Sequence, residues 1–329
     1  MKGIVVGAGL MGGWHAHAIA ATGASVVGVV DSDPARAAAL AARYKGARPF
    51  ALLESALSSV AADVVHVCTP TTTHGTLIRT ALDAACHVLA EKPLAPTADE
   101  TRDLLARAGS AARLLVPVHQ FSFQRGVLAL LDRLSTLGPI VHIEAGTASA
   151  GAAGTAGSED VIVAEIVPHF LGLTRRVLRV ELGGQPWAVV RSRPGEWRVN
   201  TACGATAVSY LVSMTGRPTF AELRVLGERG SARLDLFHGF VVFESGAVSR
   251  SAKLGRPFSV AGRSLLAASA NLARRALTGE AAYPGLRELV RQFYRAARGD
   301  GASPILPDET LDIALARDHL IALSAAGGA

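Results

Sequence analysis

Glycines at 7, 9 and 12, a lysine at 92 and a histidine at 169 are the residues whose types and spacing could do chemistry in this chain. Residues 5–12, Val-Val-Gly-Ala-Gly-Leu-Met-Gly, fill the pattern Gly-x-Gly-x-x-Gly directly after a short apolar run. In that pattern Gly7 allows a tight turn out of a strand, Gly9 lets backbone approach a pyrophosphate, and Gly12 lets the next helix pack closely. That helix aims its N-terminal dipole at the phosphates, which makes Gly7, Gly9, Leu10, Met11 and Gly12 candidate cofactor contacts. A second apolar run, Ser25 to Val30, ends in Asp31, 19 positions after Gly12, where an acidic residue would take up a ribose hydroxyl. A carboxylate at Asp31-Ser32 repels a 2′-phosphate and favours NAD, while Arg36, about one turn later, could swing to such a phosphate and leaves NADP open. Two competing readings are a glycine turn in an unrelated α/β protein and a signal peptide built on Lys2 and Ala18-Ile19-Ala20. Three glycines with His15 and His17 inside the supposed apolar core argue against the signal peptide.

Ala90-Glu91-Lys92-Pro93-Leu94 stands where the fourth expected strand would end. Carboxyl ends of strands border the ligand crevice of a doubly wound sheet, so Lys92 would project toward a bound nicotinamide. The bland alternative is a solvated turn with a surface lysine. Oxidising an alcohol removes a proton from oxygen while hydride leaves carbon, which asks for a group titrating near neutrality at that oxygen. His169 fits that role, Glu165 four residues earlier lies on the same helical face to orient it, and Lys92 would hold the oxygen. The alternative for His169 is a helix histidine at a domain interface. His119 and Gln120 follow the fifth strand and are candidate substrate contacts. Arg125 could meet a carboxylate or phosphate of a substrate, or pair across the interface. Cys68, Cys86 and Cys203 are odd in number and scattered, with neither metal-ligand spacing nor a disulfide framework, so no metal is expected and a reducing cytoplasm suits them.

Strand-like runs near 3–6, 25–30, 63–68, 87–90 and 113–118 alternate with helical stretches near 11–22, 34–44, 74–84 and 97–109, the pattern of βαβ units. After His119 longer β-rich runs appear at 140–146, 187–192, 203–212, 221–227 and 240–244, with helices expected at 159–178, 285–298 and 307–325. Residues 146–158, rich in Gly, Ala, Ser and Thr, read as a mobile loop. The fold class is therefore α/β: an amino-terminal Rossmann domain with a doubly wound parallel sheet, residues 1–118, and a carboxyl-terminal α+β domain with a large, mostly antiparallel sheet, residues 119–329. The last helix is free to pack back on the first domain.

With these motifs in place, the chain resembles the Gfo/Idh/MocA family of NAD(P)-dependent oxidoreductases, which includes inositol dehydrogenases and glucose-fructose oxidoreductases. The markers are the glycine loop followed by His15, Cys68-Thr69-Pro70 with His74, and Glu91-Lys92-Pro93. Looser ones are Arg125 ahead of the helix leading to Gly138-Pro139-Ile140, the Glu165-to-His169 segment, and the final Leu306-to-Leu323 helix. The resemblance implies that Thr69, Pro70, His74 and Glu91 lie beside the cofactor. It also implies that Lys92 contacts substrate hydroxyl and cofactor across a peptide that is often cis, and that His169 serves as acid/base. The chain departs from the frequent family pattern Asp-x-Gly-x-His-x-x-Asp: it has Glu165 for the first acid, Val167 for the glycine and Gly172 for the last aspartate. The lost aspartate weakens a standard polyol site. The expected activity is hydride transfer between nicotinamide and a carbinol or carbonyl carbon of a sugar, nucleotide-sugar or cyclitol. Alternatives are reduction of a non-sugar ketone or imine, or a non-catalytic dinucleotide sensor or scaffold.

Half of the 329 residues are apolar and no run of about 18 apolar residues occurs, so no membrane span is expected. The net charge of +6 is uneven: residues 250–298 hold ten Lys or Arg against Glu280 and Glu288, a surplus of eight. No nucleic-acid recognition motif accompanies it. Within it, residues 263–277 read as an amphipathic helix with Leu265, Ala268, Leu272 and Ala276 on one side. Apolar residues on both faces of the later strands (Leu223, Val225, Leu226 and Phe240 to Phe243) suggest a covered second face and a homodimer or homotetramer, or else the basic helix folded over that face.

Overall fold

The computed structural model describes residues 1–149, 159–246, 249–280 and 282–326. The expected mobile loop lies outside the described residues from 150 to 158, and its first residues, 146–148, end a strand.

The first elements are β1 (Lys2–Val6), α1 (Leu10–Ala21), β2 (Ser25–Val30), α2 (Pro34–Ala41), β3 (Arg48–Phe50), α3 (Leu53–Ser59), β4 (Val64–Val67), α4 (Thr71–Asp83), β5 (His87–Ala90), α5 (Ala98–Ser110) and β6 (Leu115–Pro117). Then come α6 (Arg125–Asp132), β7 (Ile140–Ala148), α7 (Glu159–Leu178), β8 (Ala188–Arg193), β9 (Glu196–Cys203), β10 (Thr206–Ser213), β11 (Phe220–Gly227), β12 (Gly230–Asp235) and β13 (Phe240–Ser245). Helices α8 (Arg250–Thr278), α9 (Leu286–Ala297) and α10 (Pro307–Ala326) complete the chain.

The chain divides into two compact units, residues 1–119 with 286–314, and residues 120–285 with 315–329. The first unit holds six parallel strands in the order β3-β2-β1-β4-β5-β6. Helices cover both faces of the sheet, which is why the central strand β4 reads Val-Val-His-Val with every residue buried and no alternation. The strand order reverses between β1 and β4, so the crevice opens at the carboxyl ends of these two strands. Segment 286–314, placed by sequence in the second domain, clusters with the first unit. The reason is the face of α9: Leu286, Leu289, Val290, Phe293 and Tyr294 form a helical stripe buried against α1, while Arg287, Arg291 and Arg295 point to solvent.

In the second unit seven strands run β13-β12-β11-β7-β10-β9-β8, antiparallel except for the β7–β10 pair. One face carries the core, with Ile143, Trp197, Val199, Val208, Tyr210, Leu223, Val225 and Leu234 buried and α7 packed on β7, β9 and β10. The expectation of a sheet apolar on both faces holds only in part. Leu223 and Val225 share the core face with Ala232, Leu234, Val241 and Phe243, whereas Arg224 and Arg233 share the other face with Val242, which is buried on the strand that α8 packs against. Arg233 pairs with Glu222 at 2.9 Å on that second face. Leu226 follows the alternation onto the same face as Arg224 and is half-buried there, and the β7–β11 register shifts just after it.

The basic helix α8 packs on β13 with its arginine side. Arg256 pairs with Glu244 at 2.8 Å and Arg263 donates to the Phe243 carbonyl at 2.9 Å, which turns the arginine side of α8 toward β13. Leu254, Phe258, Leu265 and Leu272 therefore face outward, 69–82 % exposed. Among the described residues no helix is long and apolar enough to cross a membrane.

Candidate cofactor and active site

The turn after β1 takes its shape from its glycines. Gly7 adopts φ +93°, and a Cβ there would stand 2.8 Å from the Cys68 carbonyl oxygen. Gly12 lets α1 start against that turn, since a Cβ would lie 1.8 Å from the Gly7 oxygen. A Cβ on Gly9 would meet nothing within 4 Å. Gly9 instead faces a cavity of 730 Å³ that it lines together with Gly7, Asp31, Ser32, Arg36, Thr69 and Pro70. An open cradle at the glycine whose backbone should approach a pyrophosphate fits a dinucleotide.

Asp31 ends β2 as a prepared acceptor. Its Oδ2 takes the Ala8 N–H at 2.7 Å and its Oδ1 the Asp33 N–H at 2.9 Å, which fixes the carboxylate beside the glycine turn. Asp33 caps α2, accepting from Ala35 and Arg36 backbone N–H groups, and its Oδ2 holds the Arg36 guanidinium at 3.4 Å. Arg36 is thus tethered by an acid of its own turn. Leu10 and Met11 open α1 directly after Gly9.

Ladder bonds align the strand ends around the crevice: Gly7 N–H to Val30 O, Cys68 N–H to Val6 O, Glu91 N–H to Val67 O and Val118 N–H to Ala90 O, all 2.8–2.9 Å. Lys92 is half-buried at the end of β5, and its bond to Pro93 is cis. His74 lies between the Pro93 carbonyl (Nδ1, 2.9 Å) and the Thr69 carbonyl (Nε2, 2.8 Å), tying the Lys92–Pro93 corner to the loop after β4. His15 is fully buried and bridges His66 and Glu91, so it packs behind the crevice. Burial and the Glu91 charge push the Cys68 thiol well above its ordinary range, which makes it a poor nucleophile. His119 follows β6 and is buried.

The second unit gathers a separate group on and around α7. His169 is buried and stacks on Phe121, with centroids 4.5 Å apart and planes 26° apart. Glu165 lies one turn earlier, and its charge acts on Arg317, whose Nε donates to the Ala164 carbonyl at 3.1 Å. Burial pulls the Arg317 pKa down, against the opposing pull of Asp318 and Glu165. Gln120 is buried next to Phe121, whereas Arg125 is exposed at the start of α6 and lines a 350 Å³ groove with Phe240, Asn271 and Arg274. Gly172 is buried among Phe170, Leu171 and Leu173, so that turn of α7 carries no acid. Phe121 and Arg317 are neighbours of the candidate residues that sequence reasoning missed. An aromatic beside a glutamine carries no motif, and Arg317 lies more than 150 residues from Glu165 in the chain. Among the described residues no group of three His, Cys, Asp or Glu could hold a metal ion.

A profile of the oxidoreductase family with an NAD-binding Rossmann fold, Gfo/Idh/MocA, matches residues 1–119. Inositol 2-dehydrogenase 2 of Paenarthrobacter aurescens is 32 % identical over 254 residues, which cover 70 % of this chain and 74 % of that protein. The chain belongs to the Gfo/Idh/MocA oxidoreductase family. Another sequence similarity is shorter. Inositol 2-dehydrogenase of Corynebacterium glutamicum is 37 % identical over 99 residues, and this match spans only 30 % of the chain and 29 % of that relative. The crystal structure of UDP-N-acetylglucosamine 3-dehydrogenase from Acidithiobacillus ferrooxidans superposes with a TM-score of 0.77, covering 99 % of this chain and 98 % of that one at 19 % identity, and so shares the whole Gfo/Idh/MocA fold.

Proposed function

We propose that the chain is an NAD-dependent dehydrogenase that moves a hydride between nicotinamide and a carbinol or carbonyl carbon of a sugar, nucleotide-sugar or cyclitol. The observation that carries this reading is the crevice of the first unit, where the glycine turn, Asp31, Thr69-Pro70 and the Lys92–Pro93 corner occupy the carboxyl ends of neighbouring parallel strands. NAD, when bound, supplies the hydride acceptor. Gly7, Gly9, Leu10, Met11 and Gly12 hold its pyrophosphate, Asp31 and Ser32 its ribose, and Thr69, Pro70, His74 and Glu91 the nicotinamide side. NADP is the lesser partner, because Asp31 repels a 2′-phosphate and Asp33 restrains Arg36.

Lys92 holds the substrate oxygen and stabilises negative charge developing on it. His169 accepts the hydroxyl proton, with its ring plane set by Phe121 and its charge balanced by Glu165. His119, Gln120 and Arg125 supply the remaining substrate contacts. In this reading residues 1–118 bind the cofactor and residues 119–329 supply the substrate wall and the contacts of a homodimer or homotetramer. The relatives named inositol 2-dehydrogenase and UDP-N-acetylglucosamine 3-dehydrogenase support the substrate class. Burial raises the pKa of Cys86 and Cys203 and keeps them as thiols, which suits a cytoplasmic enzyme.

The test is a thermal shift with NAD and NADP, followed by NADH formation with myo-inositol and with UDP-N-acetylglucosamine. A larger shift with NAD and turnover on one of the two are expected, since a ligand that binds only the folded state raises apparent stability. No shift with either cofactor would sink the reading. Cofactor binding with turnover only on an apolar ketone or imine would move the substrate away from sugars, in line with the acid-free turn at Gly172.

A further inference from the structure

Behind the crevice end of β5, polar groups from four elements join into one chain of hydrogen bonds. Tyr294 Oη of α9 meets His66 Nε2 of β4 at 3.1 Å, His66 Nδ1 meets His15 Nδ1 of α1 at 2.8 Å, and His15 Nε2 meets Glu91 Oε1 at 3.2 Å. Both imidazoles and the phenol are fully buried. Gly3 on β1 makes the reach possible, because a Cβ there would stand 2.7 Å from Tyr294 Oη. None of the roles assigned above uses His15, His66 or Tyr294.

The chemistry of the end group sets the direction of the chain. A nitrogen-to-nitrogen contact holds one proton, so one ring donates and the other accepts, and a neutral imidazole has one nitrogen of each kind. An ionised carboxylate only accepts. His15 therefore donates from Nε2 to Glu91 and accepts at Nδ1, His66 donates from Nδ1 and accepts at Nε2, and Tyr294 donates its hydroxyl proton. Every link is filled with neither ring charged. Burial, and to a lesser degree His15, hold His66 well below the usual imidazole range, and burial pushes the Tyr294 phenol well above its own. Further titratable groups acting on the chain are Cys68 beside Glu91, and Asp63 and Arg298 near Tyr294.

We propose that Tyr294, His66 and His15 are positioning residues that lock the Glu91 carboxylate, and through it the Lys92–Pro93 corner, in the orientation that receives the nicotinamide. The functional half of this proposal rests on the dehydrogenase reading, whereas the tautomer order does not. Its consequence is specific. Tyr294→Phe removes the terminal donor and leaves a bare, buried Nε2 on His66, while the Glu91 carboxylate still holds the tautomer order. The chain loses its outer anchor, and the Glu91 end loosens with it.

The experiment is long-range proton–nitrogen NMR on the full-length protein labelled with ¹⁵N-histidine, with signals assigned through His15→Gln and His66→Gln. NADH affinity is read in parallel from nicotinamide fluorescence. Wild type and Tyr294→Phe should both carry the His15 proton on Nε2 and the His66 proton on Nδ1 at neutral pH, and in the variant the His66 Nε2 signal should move to that of a nitrogen without a hydrogen-bond donor. The variant should bind NADH about fivefold more weakly, the loss of one net hydrogen bond. A reversed order in either protein, an unmoved His66 Nε2 signal in the variant, or an unchanged NADH affinity overturns the proposal. Expected tautomers in a wild-type protein that binds no NADH overturn the dehydrogenase reading and the positioning role with it, while the tautomer order stands.

Discussion

Lys92 and His169 carry different burdens in the proposed reaction, and their variants should separate accordingly. Lys92 acts on the reacting oxygen, so Lys92→Ala should lower kcat by about 10² or more while the NAD thermal shift persists. Parallel loss of NAD binding would make Lys92 a structural or cofactor residue instead. His169→Ala should lower kcat by about 10² and remove a pH dependence near neutrality, because a positioned imidazole is the group that titrates there. An unchanged pH profile would return His169 to a packing role on Phe121. Both residues could be singled out in the sequence as candidates because each sits in a pattern: Lys92 where a parallel strand ends, His169 four residues after an acid. Phe121, Arg317 and the His15–His66–Tyr294 chain could not, since each depends on a contact that only the folded chain creates, 228 positions apart for His66 and Tyr294.

Elements with a strong period were readable nearly to their ends, and those without one were not. Helix α7, expected at 159–178, spans Glu159–Leu178, and β2 and β5 match residue for residue. Strand β3 was missed because Arg48-Pro49-Phe50 is too short to show alternation, and β9 and β12 because their apolar residues are interrupted by Arg198 and Asn200 and by Ser231 and Arg233. Which face of α8 meets the rest of the chain was not readable for another reason: amphipathicity fixes which residues share a side, but not which side is turned inward. At this scale the glycine turn gives a sharp test. Gly12→Ala would place a Cβ 1.8 Å from the Gly7 oxygen, and the obstacle is backbone, so α1 must shift off the turn. Overpacking of this kind costs about 1–3 kcal/mol and misdirects the helix N-terminus. Urea unfolding should register the loss, and the NAD thermal shift should vanish in the still-folded variant. A Gly12→Ala protein with full NAD affinity would remove the close approach of α1 from the cofactor argument.

At the scale of the whole molecule, the outward stripe of α8 bears on assembly. Leu254, Phe258, Leu265 and Leu272 are separated by four, seven and seven residues, which keeps them on one side of the helix. Helix α8 has no buried residue among those whose side chains are described, and each of the four exposes most of its surface to water. Contiguous exposed apolar surface of this kind marks an interaction site more often than a solvated face. Its own unit does not cover it, because Arg256 and Arg263 bind the opposite side of the helix to β13. A second copy brings the same stripe, and a twofold pairing satisfies both at once. Light scattering at micromolar concentration should therefore give a multiple of the 34.0 kDa chain mass. The double substitution Phe258→Glu with Leu265→Glu places charges at the centre of the stripe and should shift the species to monomer without lowering the unfolding midpoint of the monomeric fold. A wild-type mass near 34.0 kDa defeats the oligomer. A multimer unaffected by the double substitution moves its interface away from α8, to the charged outer face of the sheet around Glu222 and Arg233.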